Sequence, residues 1–321
     1  MTSRRENAVK PDIIPHRRAH VRTNWGGVAR IKQLADYCLA DGARGTLADT
    51  MTNESRLPTF YIPHGGGPCF FMEWPGPPPN PWDHLADWLR QLSATLPHPP
   101  RAVLVISGHW EAEPVAVNMQ NQPPLLFDYY GFPDHTYQLK YPAPGDPLLA
   151  TKVRGLLAAA GIATSEERER GLDHGVFVPF LLVYPDADMP IVQLSLKQGL
   201  SAPEHLRLGA ALAPLRDQGV LIIGSGMSFH NLRVRSMENT LIPGSQLFDD
   251  WLGQTVCESD VQARNAGLAN WSQAPAARYA HPREEHLLPL MVAAGAAGED
   301  LGVRTFNDVM MGWRISGFRF G

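Results

Sequence analysis

The chain is 321 residues long, with 44% hydrophobic and 19% charged residues and a net charge of −4. That balance is ordinary for a globular protein and offers no general surface for polyanions, so neither nucleic acid nor an anionic membrane is an expected partner. No apolar stretch approaches the roughly 20 residues that span a bilayer. Three scattered cysteines (Cys38, Cys69, Cys257) make no disulfide framework, which points to a reducing cytoplasm.

Residues 1–50 carry nine Lys/Arg against five Asp/Glu, so the front of the chain is mildly basic and the remainder acidic. Its arginine pairs, Arg4–Arg5 and Arg17–Arg18, have no apolar segment behind them, which argues against a secretory signal. RIKQLADYCLA at 30–40 has the pattern of a short helix. Composition predicts a poorly ordered extension over residues 1–56 and one globular body over 57–321.

From residue 57 strands and helices alternate. LPTFYIPH reads as a buried strand, and PWDHLADWLRQLSATL, opened by Pro81 and the acidic Asp83, as an amphipathic helix. RAVLVISGH is a second apolar strand and PVAVNMQ a third. Residues 121–147 are rich in Pro, Gly and aromatics and read as a long functional loop. DPLLATKVRGLLAAAG is a helix closed by Gly161. HGVFVPFLLVYP reads as another helix, although its β-branched residues leave a strand open. MPIVQLSL is a strand, SAPEHLRLGAALAPLRDQG a helix with a serine cap and a glycine stop, and GVLIIGSG a further strand. FDDWLGQTVCESD and REEHLLPLMVAAGAAG are later helices, and VRTFND and WRISGFRF the closing strands. The pattern predicts an α/β fold: a single domain with a central mixed β-sheet flanked by helices. It is mixed because PVAVNMQ and the tail lack crossover helices.

The histidines carry the chemistry. His64 follows a strand in YIPHGGG, His109 follows another in VISGHWE, and His230 follows a third in LIIGSGMSFHN. His174 lies in GLDHGV and His286 in HPREEHLLPL at a helix start. Ligands bind at the carboxyl ends of strands in open α/β sheets, because loops from neighbouring strands converge there. Strand-end histidines are therefore expected to face one cleft, as neutral metal ligands or as proton carriers near pH 7. Three protein ligands with open positions would mark a catalytic metal. His281 and Glu285 compete with His286 as the third ligand. His16, His20, His84, His98, His135 and His205 read as ordinary residues. Other motifs fit less well: GGGP lacks the lysine and hydroxyl of a phosphate loop, no H-E-x-x-H is present, and GSGMS does not match a nucleophile elbow. Cys69 reads as a buried thiol.

In order along the chain stand PHGGGP, SGHWE, YPAPGDPLLA, GLDHGVFVPF, YPDADMPIVQLSL, GSGMSFHNLR and REEHLLPL. Together these blocks resemble the class III extradiol ring-cleavage dioxygenases, in their 4,5-DOPA dioxygenase-like branch, over residues 57–321. The resemblance implies a mononuclear divalent metal, Fe(II) for oxygenation or Zn(II) as bound, held by His64, His109 and His286. It places His230 beside the metal, as a fourth ligand or as the acid/base, and His174 as a proton donor on the substrate side. One departure is plain: the usual block is H-G-S-P or similar, and this chain has His64-Gly65-Gly66-Gly67-Pro68.

The expected partners are a small aromatic diol of the catechol type and dioxygen. Phe127, Tyr129, Tyr130, Phe132 and Tyr137 would either stack on such a ring or cap the core. A zinc-dependent hydrolase using metal-bound water, and a non-catalytic binding protein on the same fold, are the rival classes.

Overall fold

The computed structural model describes residues 56–321. The extension and short helix expected before residue 56 lie outside the described residues. The chain enters through β1 (Thr59–Pro63) and a tight 3-10 turn at Cys69–Phe71, then forms α1 (Asp83–Leu92). β2 (Ala102–Ala112) and β3 (Val115–Asn118) precede the long loop, after which come α2 (Pro147–Ala159) and β4 (Thr164–Glu167). The middle of the chain is α3 (His174–Val183), β5 (Ile191–Lys197), α4 (Ala202–Leu212) and β6 (Val220–Gly226). α5 (Pro243–Val256), α6 (Val261–Ala269), α7 (Ala277–Ala280) and α8 (Leu288–Ala297) lead to the closing hairpin of β7 (Gly302–Met310) and β8 (Trp313–Phe320).

Among the described residues the eight strands form one sheet in the order β4-β3-β5-β2-β6-β1-β8-β7. β5, β2, β6 and β1 run parallel at its centre, while β3 lies antiparallel to β5 and β8 antiparallel to β1. The sheet is mixed at the two places where the sequence lacks crossover helices. The central strands are covered on both faces, which is why they read as continuous apolar runs. Leu104, Ile106, Ile222 and Ile223 are fully buried, each contributing about 2 kcal/mol. Helices pack in two groups: α1 with α3, which lies on β2 and β6, and α4 with α8, which lies on β6, β1 and β2.

Local chemistry sets the helix ends. Asp146 caps α2 through Leu149 N–H at 2.9 Å, and Ser201 caps α4 through Glu204 N–H. Gly161 and Gly219 close their segments with positive φ. HGVFVPFLLVYP resolves as helix, buried on nearly every side, with Pro179 inside it. Proline has no N–H, so the carbonyl four residues back, that of Gly175, loses its helical donor. The Ser225 hydroxyl on β6 donates to that carbonyl instead.

One expectation needs correction, and three elements were not foreseen. His109 does not follow its strand, because β2 continues past it to Ala112. Pairing with β5 moves from Ile106↔Leu194 to Glu111↔Leu196, so five residues of β2 advance against two of β5, and His109 sits in the bulged stretch. β4, α6 and α7 had no counterpart in the sequence reading; β4 is the short, half-exposed TSEE, with no apolar run to mark it. No helix among the described residues is long and apolar enough to cross a membrane.

Candidate metal centre

The predicted histidines arrive from five separate elements. His64 comes directly off β1, its N–H donating to the Gly226 carbonyl at 3.1 Å. His109 projects from the β2 bulge, and His174 is the first residue of α3. After β6 the chain turns through Met227–Phe229 to His230, whose N–H donates to Ala280 O at 3.0 Å. His286 precedes α8, and its carbonyl accepts from the Tyr61 hydroxyl at 2.7 Å and from Met227 N–H at 3.1 Å. The His286 carbonyl lies so close to β6 that a side chain at Gly226 would run into it. The GSG stretch is therefore a shelf for the segment carrying His286, with a serine that serves α3.

The five rings converge. His64 lies 4.9 Å from His109, 5.1 Å from His286 and 5.3 Å from His174 between ring centres. His109 is 4.0 Å from His174 and 4.6 Å from His286, and its Nε2 is 3.1 Å from His286 Nε2. His230 stacks on His286 at 3.4 Å. His64, His109 and His174 offer ring nitrogens within 4.8 Å of one another, and so do His230 and His286 together with a carboxylate oxygen of Glu285. His174 thus stands as close to His64 and His109 as His286 does.

Two carboxylates organise the rings. Glu285 Oε1 accepts from His286 Nδ1 at 3.0 Å and from His230 Nδ1 at 3.1 Å. Burial works against its charge, but the hydrogen bond from His230, a backbone N–H and the Arg283 guanidinium hold it below the usual carboxylate range. Asp128 Oδ1 accepts from His174 Nδ1 at 2.7 Å; burial is the largest single effect and works against its charge, but that bond together with the His174 backbone N–H and the attraction of His174 holds Asp128 low. An ionised carboxylate only accepts, so His174, His230 and His286 each hold a proton on Nδ1, and Nε2 carries the lone pair in the neutral tautomer.

This donor set fits a divalent cation. Both ring nitrogens of His64 are buried with no hydrogen-bond partner. Burial first, and then the neighbouring imidazoles, push His64, His109 and His286 well below the ordinary histidine range, so protons do not satisfy the cluster. A cation shared by the rings would engage the orphaned nitrogen and hold the imidazoles neutral.

The two competitors separate. Glu285 belongs to the cluster, with Oε1 committed to two imidazoles. His281 is a core residue: its Nε2 pairs with Ser228 O at 3.0 Å, it packs on Phe248 and Trp271, and burial drives it down to about 3. His135 is exposed against Phe71 O, and His205 is buried beside its own helix cap, pairing with Ser201 O and Lys197 N–H.

The rings open into a cavity of about 670 Å³, lined mainly by apolar groups that include Trp74, Trp82, Met227 and Trp313. The aromatic loop divides its labour. Phe127 packs on Phe177 of α3, whereas Tyr129, Tyr130 and Phe132 face the cavity. Gly65 and Gly67 have φ of +83° and +56°, and a methyl group on Gly67 would come within 2.8 Å of the Phe132 ring. Gly66 has ordinary φ and room, 3.6 Å from Trp82. Two of the three glycines are thus dictated by backbone shape. Sequence reasoning missed Asp128; the lone carboxylate in the aromatic run FDYYGF was its only signal.

Residues 58–316 match the family described as the catalytic LigB subunit of aromatic ring-opening dioxygenase. The chain belongs to this family, the class III extradiol dioxygenases. It is 39% identical over 244 residues to the 4,5-DOPA dioxygenase extradiol of Beta vulgaris, covering 75% of this chain and 87% of that one. It is 37% identical over 290 residues to the dioxygenase tasH of Hapsidospora irregularis, covering 84% and 87%. The crystal structure of an uncharacterized Escherichia coli K12 protein superposes with a TM-score of 0.68 at 27% identity, covering 83% of this chain and all of that one. These likenesses place it in the 4,5-DOPA dioxygenase-like branch.

Proposed function

We propose that the protein cleaves the ring of a catechol beside its diol with dioxygen, using a divalent metal held by His64, His109 and His286. The observation that carries this reading is the convergence of five imidazoles, among them His64, whose two buried ring nitrogens lack any partner. The names of the relatives, 4,5-DOPA dioxygenase extradiol among them, support a catechol-type substrate. Bound there, Fe(II) would supply the redox chemistry that joins a diol to oxygen, whereas Zn(II) would fill the same ligands without it.

The chain's own residues do the rest. Substrate binding needs a base for a diol proton, and ring opening needs that proton returned. His174 and His230 fit these tasks, each with Nδ1 bonded to a carboxylate and Nε2 left as the acceptor. His230 stacks on His286, so the metal position and the proton carrier share one carboxylate, Glu285. Tyr129, Phe132 and Trp82 wall a cavity suited to a flat ring. The catalytic unit of this reading is residues 57–321, and the exposed free thiol of Cys257 suits a reducing cytoplasm.

The test is anaerobic loading with Fe(II), followed by L-DOPA, catechol and protocatechuate in oxygenated buffer. A yellow semialdehyde forming with matched oxygen uptake is the expected result. Absence of both with every catechol would sink the reading, and ester or amide turnover without oxygen would replace it with a hydrolase.

A further inference from the structure

We propose that Asp128 is the positioning residue of His174. It fixes the proton on Nδ1 and turns the Nε2 lone pair toward the ring to be cleaved. This rests on the proton-transfer role given above to His174.

The grip is made at two points. Asp128 Oδ1 accepts from the His174 backbone N–H at 3.0 Å and from its Nδ1 at 2.7 Å. Such a hold restrains both the main chain and the ring. It also replaces a missing cap. α3 starts at His174, yet the preceding residue, Asp173, makes no side-chain cap to it. The Asp173 carboxylate instead takes bonds from Ser107 Oγ at 2.7 Å and Gln193 Nε2 at 2.5 Å. The first N–H of α3 is therefore satisfied from a loop 46 residues earlier in the chain.

That loop is itself fixed to the start of α3. Leu126 N–H donates to Leu172 O and Leu172 N–H to Pro124 O, both at 2.8 Å. The Tyr129 hydroxyl donates to Thr136 O at 2.6 Å, and its ring meets the His174 ring edge-on at 5.8 Å. The second oxygen, Oδ2, stands 3.6 Å from His109 Nδ1, an ion-pair distance beyond hydrogen-bond range, so among the described residues the side chain hydrogen-bonded to the Asp128 carboxylate is that of His174. With Nδ1–H committed to the carboxylate, a neutral His174 presents a bare Nε2 to the cavity that it lines.

The experiment uses the full chain with ¹⁵N-labelled histidine, metal-free and loaded with Zn(II). His174 should show a protonated Nδ1 and a bare Nε2, and Asp128→Asn should mix or invert the two. In the Fe(II)-loaded enzyme, Asp128→Asn should lower kcat by about 10–100-fold with KM and iron content within about threefold, the scale of other outer partners of catalytic histidines. The double variant with His174→Gln should be no slower than His174→Gln alone. Unchanged nitrogen shifts in Asp128→Asn, or losses that multiply in the double variant, would overturn the assignment. Full kcat in His174→Gln would overturn the proton-transfer reading instead, and the nitrogen shifts would then decide the role of Asp128 by themselves. If Asp128→Asn does not fold, Asp128→Ser serves: serine still caps a helix but leaves the ring proton unheld.

Discussion

The two ends of the parallel strands bury polar groups in opposite ways. At the carboxyl end five imidazoles gather, and His64 is left with no partner at either nitrogen. At the amino end lie two fully buried arginines. Arg216 donates to the carbonyls of Leu57, Ala296 and Ala297 and pairs with Asp300. Arg264 donates to Asp300 O at 2.7 Å and Gly298 O at 2.8 Å, over the Phe320 ring. The arginines are satisfied and tie the end of α8 to the starts of β1 and β6. The site histidines are collected, and His64 at their centre is left unsatisfied. One end holds the fold closed; the other keeps bonding capacity for something that is not protein.

The difference can be broken from the site end first. His64→Leu should cut metal affinity by about 100-fold or more, beyond the 10–100-fold typical of outer partners. The same change should make the metal-free protein about 1–3 kcal/mol more stable, because it removes two buried nitrogens that bond to nothing. Metal competition titrations and urea unfolding of the metal-free chain check both signs.

The opposite end should respond in the reverse sense. Arg216→Met leaves three carbonyls without their donor and should cost about 3–5 kcal/mol, with metal affinity unchanged in the protein that remains folded. Equilibrium urea unfolding measures the loss.

Acid sharpens the contrast. The folded value of His281 is depressed to about 3 against an ordinary 6.5, so below pH 6.5 the unfolded chain takes up a proton that the native core refuses. Its contribution is complete above 6.5 and lost as pH falls toward 3, by about 1.4 kcal/mol per pH unit. His64, His109 and His286 are lowered in the same direction. Arg216 and Arg264 stay charged over that range. The metal-free protein should therefore lose stability between pH 6.5 and 5, and amide exchange should rise first around the histidines. Uniform loosening at both ends would contradict the contrast.

The sequence showed those parts of the fold in which burial writes a pattern. VLIIGSG and AVLVIS could only be covered strands, and Ser201, Gly161 and Gly219 marked helix ends by local chemistry alone. TSEE carried no such pattern, since it is an edge strand with half its surface wet. At the site, His64 and His230 were visible because apolar runs lead into them. His109 was found for a partly mistaken reason, as the strand continues through a bulge that no propensity announces. Asp128 was out of reach, because its bonds to His174 exist only once a loop has folded back across 46 residues. Whether His281 or His286 joined the cluster also turned on tertiary position, five residues being enough to separate a core ring from a site ring.

The bare face of β6 carries one more consequence. Gly226 meets the His286 carbonyl and Gly224 the Pro289 carbonyl, with no space for a single carbon between. The depth of the histidine pocket is thus recorded in atoms that are missing from β6, the strand between the two that deliver His64 and His109. An alanine introduced there would alter no charge, no donor and no ring, yet it would lift one whole wall of the pocket. Among natural variants of this chain, the silent-looking exchange of glycine for alanine on β6 is the one to read as a change of cavity shape.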